Sequence, residues 1–411
     1  MGYSYKSSRG SSVASKYARN KTGQRRQFSQ NRGRGKNMGQ YIDPARFVQV
    51  ATASEVEAYQ AIHKFADFEL HALLQKNLEK KGYVTPSPIQ DQAIPVALSG
   101  QDVIGIASTG TGKTAAFALP MIHKLLTDNS TAALIIAPTR ELAQQIEKEC
   151  QDLAKGSNLT GVLLIGGSSM GFQLRGLQRR PRIVIGTPGR IKDHIKRGSL
   201  KLSHTNMIVL DEVDRMLDMG FLPDVREILS NLPTKRQSFF FSATMDTRIR
   251  TLIESFTNNP VTISLKASTT SENIHQDVVE HSGNTEKLDK LHDILIREDV
   301  TKVIVFDETQ RGVEKLSKEL ITRGFKADSI HGGKSQGQRQ RALSKFKNSE
   351  VNILVATDVA ARGIDVIDIT HVVNYSIPKM YDDYIHRIGR AGRAGQIGYA
   401  LTFVEKDALR K

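Results

Sequence analysis

The stretch DVIGIASTGTGKT, Asp102–Thr114, runs a short apolar segment into glycines, a lysine and a hydroxyl, and a helical pattern follows. A buried strand that turns through a Gly-rich loop into a helix lets backbone N–H groups curl around phosphates, and the helix N-terminus adds a favourable dipole. Ser108, Thr109, Gly110, Thr111 and Gly112 supply the curl. Lys113 can reach the β- and γ-phosphates of a nucleotide, and the Thr114 hydroxyl can ligate Mg²⁺. The full phosphate-loop pattern has Gly where Ala107 stands, so the bare match is one residue short; the competing reading is a Gly-rich turn.

Outward from this stretch the same texture recurs. AALIIAP, GVLLIGG, RIVIGTP, MIVLDE and SFFFSAT are short apolar runs that close on small or polar residues, each followed by a helical pattern. Continuous rather than alternating hydrophobicity points to strands buried on both faces, and strand–helix alternation points to a parallel sheet. A polar, aperiodic segment, SLKASTTSENIHQ (Ser264–Gln276), interrupts the pattern. It resumes in VIVF, ADSIHG, NILVAT, HVVNY and ALTFV. The fold class is therefore α/β, with two tandem doubly wound parallel-sheet domains at 43–265 and 277–411 and a linker at 266–276. From Ala45 to Lys81 mixed charged and apolar residues read as a helical stretch that stops at Gly82.

At 411 residues the chain exceeds what one core sustains, which agrees with two domains. No apolar run approaches the roughly 20 residues needed to cross a membrane. One cysteine, Cys150, excludes an internal disulfide and a multi-cysteine zinc site and suits a reducing compartment, so a cytoplasmic protein is expected.

The net charge is +15, and ten of the lysines and arginines lie in residues 1–40, which carry no acid. Residues 1–42 thus read as a disordered basic arm, rich in Ser, Gly, Gln and Asn and too poor in apolar surface to offset its ordering entropy. Basic residues interleaved with Tyr3, Tyr5, Tyr17 and Phe28 suit nucleic acid. A solubilising tail or a transit peptide are the competing readings; the second lacks leucines for an amphipathic face.

The acids of MIVLDEVDRMLD, Met207–Asp218, end an apolar run. An exposed protease site would need a flexible, polar setting, whereas these acids sit between MIVL and a helical RMLDMGF. Asp211, 98 residues after Lys113, can hold Mg²⁺ on the β- and γ-phosphates, and Glu212 can orient and deprotonate an attacking water. PTRELA (with Pro138, Thr139 and Arg140), the pair Gly166–Gly167, and TPGR (with Thr187, Gly189 and Arg190) end further strands with groups suited to a sugar–phosphate chain. Ser242 and Thr244 of SAT could sense the acids. In the second domain, TDVAARGID and HRIGRAGRAG gather arginines that an arginine-finger arrangement would carry across a cleft.

Taken in this order, the motifs resemble those of a DEAD-box RNA helicase of superfamily 2 with RecA-like domains, over roughly Phe65 to Val404, with DEVD in place of DEAD. The resemblance implies that Gln90 reads the adenine edge and Phe65 stacks on the base. It implies that Gly363 and Asp365 meet the nucleotide, Asp365 at the ribose, that Arg390 and Arg393 meet the γ-phosphate, and that Asp214 and His386 couple the domains. Gly333, Gln336, Arg339, Thr357 and Asp358 would join the RNA backbone contacts. ATP and Mg²⁺ are then the expected ligands, and RNA, gripped without reading sequence, the expected partner of a monomer. Val213 stands at the family's third-position Ala, where its bulk could shift Asp214. Ala391 replaces a frequent Thr. The chain stops at Lys411, so part of the closing helix and any C-terminal RNA-binding appendage are expected to be missing. An ATP-gated RNA clamp with little unwinding would use the same residues, and a duplex-DNA translocase is the more distant alternative.

Overall fold

The computed structural model describes residues 42–51, 59–108, 110–265, 273–361, 366, 368–392 and 396–406. The arm read at 1–42 lies outside them save for Ile42, as do Thr109, Gly363, Asp365, Arg393 and residues 266–272 of the expected linker.

The first sheet is built from β1 (Val103–Ile106), β2 (Ala133–Ile136), β3 (Gly161–Leu164), β4 (Ile183–Gly186), β5 (Met207–Leu210), β6 (Gln237–Ser242) and β7 (Val261–Ser264). All pair in parallel, in the order β3-β4-β2-β5-β6-β1-β7. Side chains alternate across a strand, so a strand covered on both faces must be apolar throughout. Ile135 and Val209 point into one core and Leu134, Ile136, Ile208 and Leu210 into the opposite one, all fully buried. Each such aliphatic side chain contributes about 1.5–3 kcal/mol on burial.

The second sheet holds β8 (Ile274–His281), β9 (Val303–Phe306), β10 (Ala327–Ile330), β11 (Ile353–Ala356), β12 (His371–Asn374) and β13 (Gly398–Glu405). It too is parallel, in the order β10-β11-β9-β12-β13-β8. β8 begins at Ile274, inside the segment that composition alone reads as linker, and Ile274 is completely buried.

The stretch expected to be helical from Ala45 to Lys81 is mostly not so. Among the described residues, 3₁₀ turns cover Pro44–Phe47, opened by Asp43 accepting from Ala45 N at 2.9 Å, and Phe65–Asp67, and an α-helix forms only over Ala72–Lys80. Between them the backbone is claimed by tertiary partners: Ile62 N and His63 N donate to the Asp91 carboxylate at 2.8 and 3.1 Å, and Phe65 N donates to Val84 O. Those bonds outweigh a weak local helix preference. Among the described residues no helix is long and apolar enough to cross a membrane.

Candidate functional site

Strand order decides which motifs meet. β5, β6 and β1 are neighbours, so the loop after β1, the acids after β5 and the Ser242–Thr244 segment at the end of β6 share one edge. β3, β4 and β2 lie on the other flank and bring Gly167, Thr187 and Arg140 to the same edge. Ligands of open parallel sheets collect at this carboxyl edge.

The loop before the helix Lys113–Thr127 is wound on itself. Lys113 Nζ donates to Ala107 O at 2.9 Å, Thr111 Oγ1 to Ser108 O at 2.8 Å, and Ser87 Oγ to Thr111 O at 2.7 Å. Gly110 is exposed and Thr114 half-buried. Gln90 spans the loop base: its Nε2 donates to Gly112 O at 3.0 Å and its Oε1 accepts from Ser87 N at 2.9 Å. A primary amide has two donors and two acceptor positions, so each end keeps one valence for a ligand edge. Gly112 has φ +93°, and a Cβ there would lie 2.4 Å from Gln90 Nε2. Gly112→Ala should therefore force the loop away from Gln90, at a cost of about 1–3 kcal/mol in strain. Weakening of ATP binding by roughly tenfold or more, read by fluorescent-nucleotide titration, is the expected result.

Phe65 is only 2% exposed, packed edge-on against Phe68 (5.9 Å between centroids) and against Tyr83 (5.4 Å). It presents almost no ring surface for a base to cover, and the stacking that the resemblance implies would require the ring to be uncovered.

The acids are buried. Burial pushes Asp211 up, to about 6, against the pull of Lys113, while the neighbouring Glu212 charge pushes it further in the same direction. Burial also works to raise Glu212, but the charges of Arg215, Lys113 and Arg390 outweigh it and hold this carboxylate below its ordinary value. Arg215 Nη1 donates to Glu212 Oε2 at 2.6 Å. Glu212 takes a left-handed backbone, φ 55° and ψ 56°, a strained state for a non-Gly residue that turns the chain sharply from β5 into the next helix. Val213 is fully buried in the core beneath. Asp214 faces β6: its Oδ2 accepts from Ala243 N and Thr244 N, both at 2.9 Å, and from Thr244 Oγ1 at 3.3 Å, while its own N–H donates to Ser242 Oγ at 3.1 Å. The SAT segment is thus bonded to the acidic turn, and these contacts lie within the first lobe.

On the other flank, Thr139 caps the helix Arg140–Leu153 by accepting from Leu142 N at 3.3 Å, which aims Arg140 out of the sheet edge. Its guanidinium lies over Gly167, where φ is +80° and a Cβ would come within 2.5 Å of Arg140 Nη1. Arg190 Nη1 donates to Ser168 O at 3.2 Å. Pro138, Thr139, Arg140, Thr187, Gly189 and Arg190 line one cleft together with Gly332, Arg339 and Val359 of the second lobe. Gly333 follows at the end of β10, its N–H donating to His331 Nδ1 at 3.1 Å.

Several second-lobe residues expected against RNA face protein instead. Arg339 Nη2 lies 2.9 Å from Glu141 Oε1 of the first lobe, and Gln336 approaches Gln144 Oε1 at 3.3 Å and Arg140 Nη1 at 3.5 Å. Asp358 is engaged twice by Arg387, Nε–Oδ1 at 2.5 Å and Nη2–Oδ2 at 2.8 Å. Its carboxylate is a structural partner rather than a free group for a backbone to meet. Thr357, 9% exposed, begins the same turn. Arg387, Glu141 and Arg215 were missed in the sequence. Arg215 alone left a signal there, its i,i+3 spacing from Glu212. From the second lobe Arg390 acts on Glu212, and its Nε donates to His386 O at 3.2 Å.

Two parallel-sheet lobes, a phosphate-type loop, buried acids beside it and an arginine acting from the facing lobe define a two-lobed nucleotide-dependent enzyme of the helicase kind. Comparison with known proteins narrows this. Residues 87–252 match the DEAD/DEAH box helicase family, and residues 286–395 match the helicase conserved C-terminal domain. The chain is 46% identical over 343 residues to the ATP-dependent RNA helicase CshA of Listeria monocytogenes, covering 83% of this chain and 66% of that protein. It is 43% identical over 351 residues to the DEAD-box ATP-dependent RNA helicase CshA of Bacillus subtilis, covering 84% and 71%. Among solved structures it resembles S. cerevisiae Dbp5 bound to RNA and ADP BeF3, with a TM-score of 0.74 and 30% identity over 84% of this chain and 90% of that one. Mss116p bound to ssRNA and AMP-PNP is similar at the same TM-score and identity, over 82% and 73%. The chain belongs to the DEAD-box family of ATP-dependent RNA helicases.

Proposed function

We propose that this chain separates short RNA duplexes locally by gripping one strand along its backbone while ATP is bound and releasing it after hydrolysis. The observation that carries this reading is the cleft at the sheet edge in which Thr139, Arg140, Thr187 and Arg190 of the first lobe face Gly332, Arg339 and Val359 of the second, closed by Arg339 Nη2 lying 2.9 Å from Glu141 Oε1. Hydrolysis then depends on the two lobes meeting, and a ligand that spans both can control it.

In this reading Ser108, Thr109, Gly110, Thr111 and Gly112 offer N–H groups to phosphates, Lys113 exchanges its bond to Ala107 O for the β- and γ-phosphates, and Gln90 uses its spare valences on the adenine edge. Gly363, Asp365 and Arg393 are assigned to the nucleotide by family pattern alone. Thr114 and Asp211 fit Mg²⁺: one hydroxyl and one buried carboxylate leave room for the substrate phosphates and waters that this ion prefers. When bound, the ion would neutralise charge developing on the phosphates. Glu212, held ionised by Arg215, accepts the proton of the attacking water. Arg140, the Gly167 turn, Thr187, Gly189 and Arg190 hold the RNA backbone without reading bases. Asp214, Ser242, Thr244 and His386 carry lobe position to the acids, and we read the protein as a cytoplasmic monomer.

The test is ATP hydrolysis with and without single-stranded RNA, with Lys113→Ala as the blank. RNA should stimulate turnover at least tenfold, single-stranded DNA should not, and Lys113→Ala should be inactive with either. Equal turnover with and without RNA would sink the reading. ATP-dependent RNA binding without release of a labelled strand from a short duplex would favour the clamp.

A further inference from the structure

The segment Ile42–Ala51 precedes the first sheet in the chain yet packs on the second. Phe47 is fully buried, its ring 4.6 Å from that of Tyr384, and Arg46 lies 3.7 Å over the ring of Tyr381. Gln49 makes an antiparallel bridge to Gln276 on the edge strand β8, N–H to carbonyl in both directions at 2.9 and 2.8 Å, and their side-chain amides meet at 3.0 Å. Tyr384 Oη closes the network on Gln276 Oε1 at 2.9 Å. Tyr381 and Tyr384 belong to the helix Tyr381–Ile388, which carries His386 and Arg387 and leads directly into Arg390. The helix that carries those groups is therefore braced by a strap from the far end of the chain.

The same stretch of chain is fastened to the first lobe a few residues later. Asp91, 2% exposed, accepts from Tyr59 Oη at 2.6 Å and meets His63 Nδ1 at 2.7 Å, in addition to the two backbone bonds described above. Asp91 adjoins Gln90 on the helix Pro88–Leu98. Eight peptide steps join Ala51 to Tyr59, so these anchors can stand at most about 29 Å apart. The connection from Leu265 to Asn273 has the same number of steps.

We propose that the two anchors, Ile42–Ala51 on the second lobe and Tyr59–His63 on the first, tie the lobes together a second time, independently of the 265–273 connection, and that the docked Ile42–Ala51 strap positions the helix bearing Arg387 and Arg390. Phe47 and Arg46 are on this account positioning residues. They touch no ligand, and they act through Tyr384 and Tyr381. Docking by an aromatic pair, a cation–π contact and two backbone bonds is strong enough to persist at rest and weak enough to be released.

Single-molecule energy transfer between dyes on Lys155→Cys and Lys318→Cys reads the lobe separation in the full chain without nucleotide or RNA. Both positions are exposed, and burial pushes the Cys150 thiol up to about 12, so it stays unlabelled. Phe47→Ala should move the distribution to longer distances and broaden it. Arg46→Ala, which leaves the core intact, should do so in part. At saturating RNA, Phe47→Ala should lower kcat several-fold while the KM for ATP stays within twofold, and Phe47→Tyr should restore it. A purely structural role would lower the melting temperature and leave that split unmoved. Superimposable distance distributions in the wild type and both variants, with faster hydrogen exchange at Gln276 N–H proving the strap released, would overturn the tether. The distance readout needs neither ligand, so its failure is distinct from failure of the helicase reading.

Discussion

Glu212→Gln is expected to reduce ATP turnover by about 10²–10⁴-fold, the usual worth of a positioned general base. ATP binding should change little, and RNA should be retained in its presence. The amide is nearly isosteric, so it can keep the left-handed backbone and accept from Arg215 Nη1, but it cannot take a proton from water. The magnitude is constrained from the other side by basicity. Arg215, Lys113 and Arg390 hold this carboxylate below its ordinary value against burial, so it is fully ionised at neutral pH but a weaker base than a carboxylate near 7. A weaker base contributes less to proton transfer, so a loss towards the lower end of that range is expected. Comparison with Asp211→Asn separates the roles: loss of the second should weaken Mg²⁺-dependent nucleotide binding, whereas loss of the first should spare it. Melting curves on both variants show whether the altered Arg215 contact has unfolded the turn. Turnover within threefold of the wild type in a folded Glu212→Gln protein would remove Glu212 from the reaction.

The sequence displayed the sheets and the nucleotide-facing edge because both follow from local rules. Strands buried on two faces must be continuously apolar, and a loop that bends around phosphates must contain Gly, so MIVL and TGTGK announce themselves. What remained hidden was set by distance in the chain. Asp91 looks like an ordinary helix residue until Tyr59, Ile62 and His63 are seen to converge on it, and that convergence dissolved the helix expected from Ala45. Phe47 reads as a stray aromatic until Tyr384, more than 300 positions later, receives it. Phe65, which the family pattern puts against the adenine base, packs here against Phe68 and Tyr83, contacts that its place in the sequence does not announce. The Glu141–Arg339 and Asp358–Arg387 pairs were illegible for the same reason, since ion pairs across elements leave no periodicity to read.

Asp358 makes the sharpest test of that last point. As an RNA contact, its loss would weaken RNA binding and leave folding alone. The structure predicts the reverse. Arg387 is buried, and besides Asp358 it donates to Asn374 Oδ1 at 3.2 Å and to Ser376 O at 2.6 Å, so it stitches the turns after β11 and β12 together. Removing the carboxylate leaves the guanidinium with its two carbonyl acceptors and no counter-charge. Breaking one side of a buried pair costs about 3–5 kcal/mol, and the lower end applies because the Asp358 side chain keeps 28% of its surface exposed. For a domain of this size that corresponds to a fall of roughly 6–12 °C in the second lobe's unfolding midpoint. Asp358→Asn should lose less, because an amide oxygen can still accept one of the two bonds. The doubly substituted Asp358→Ala, Arg387→Ala protein should lose less than the sum of the singles, since neither charge is then stranded. An Asp358→Ala protein that melts with the wild type but binds RNA tenfold more weakly would return this residue to the RNA surface.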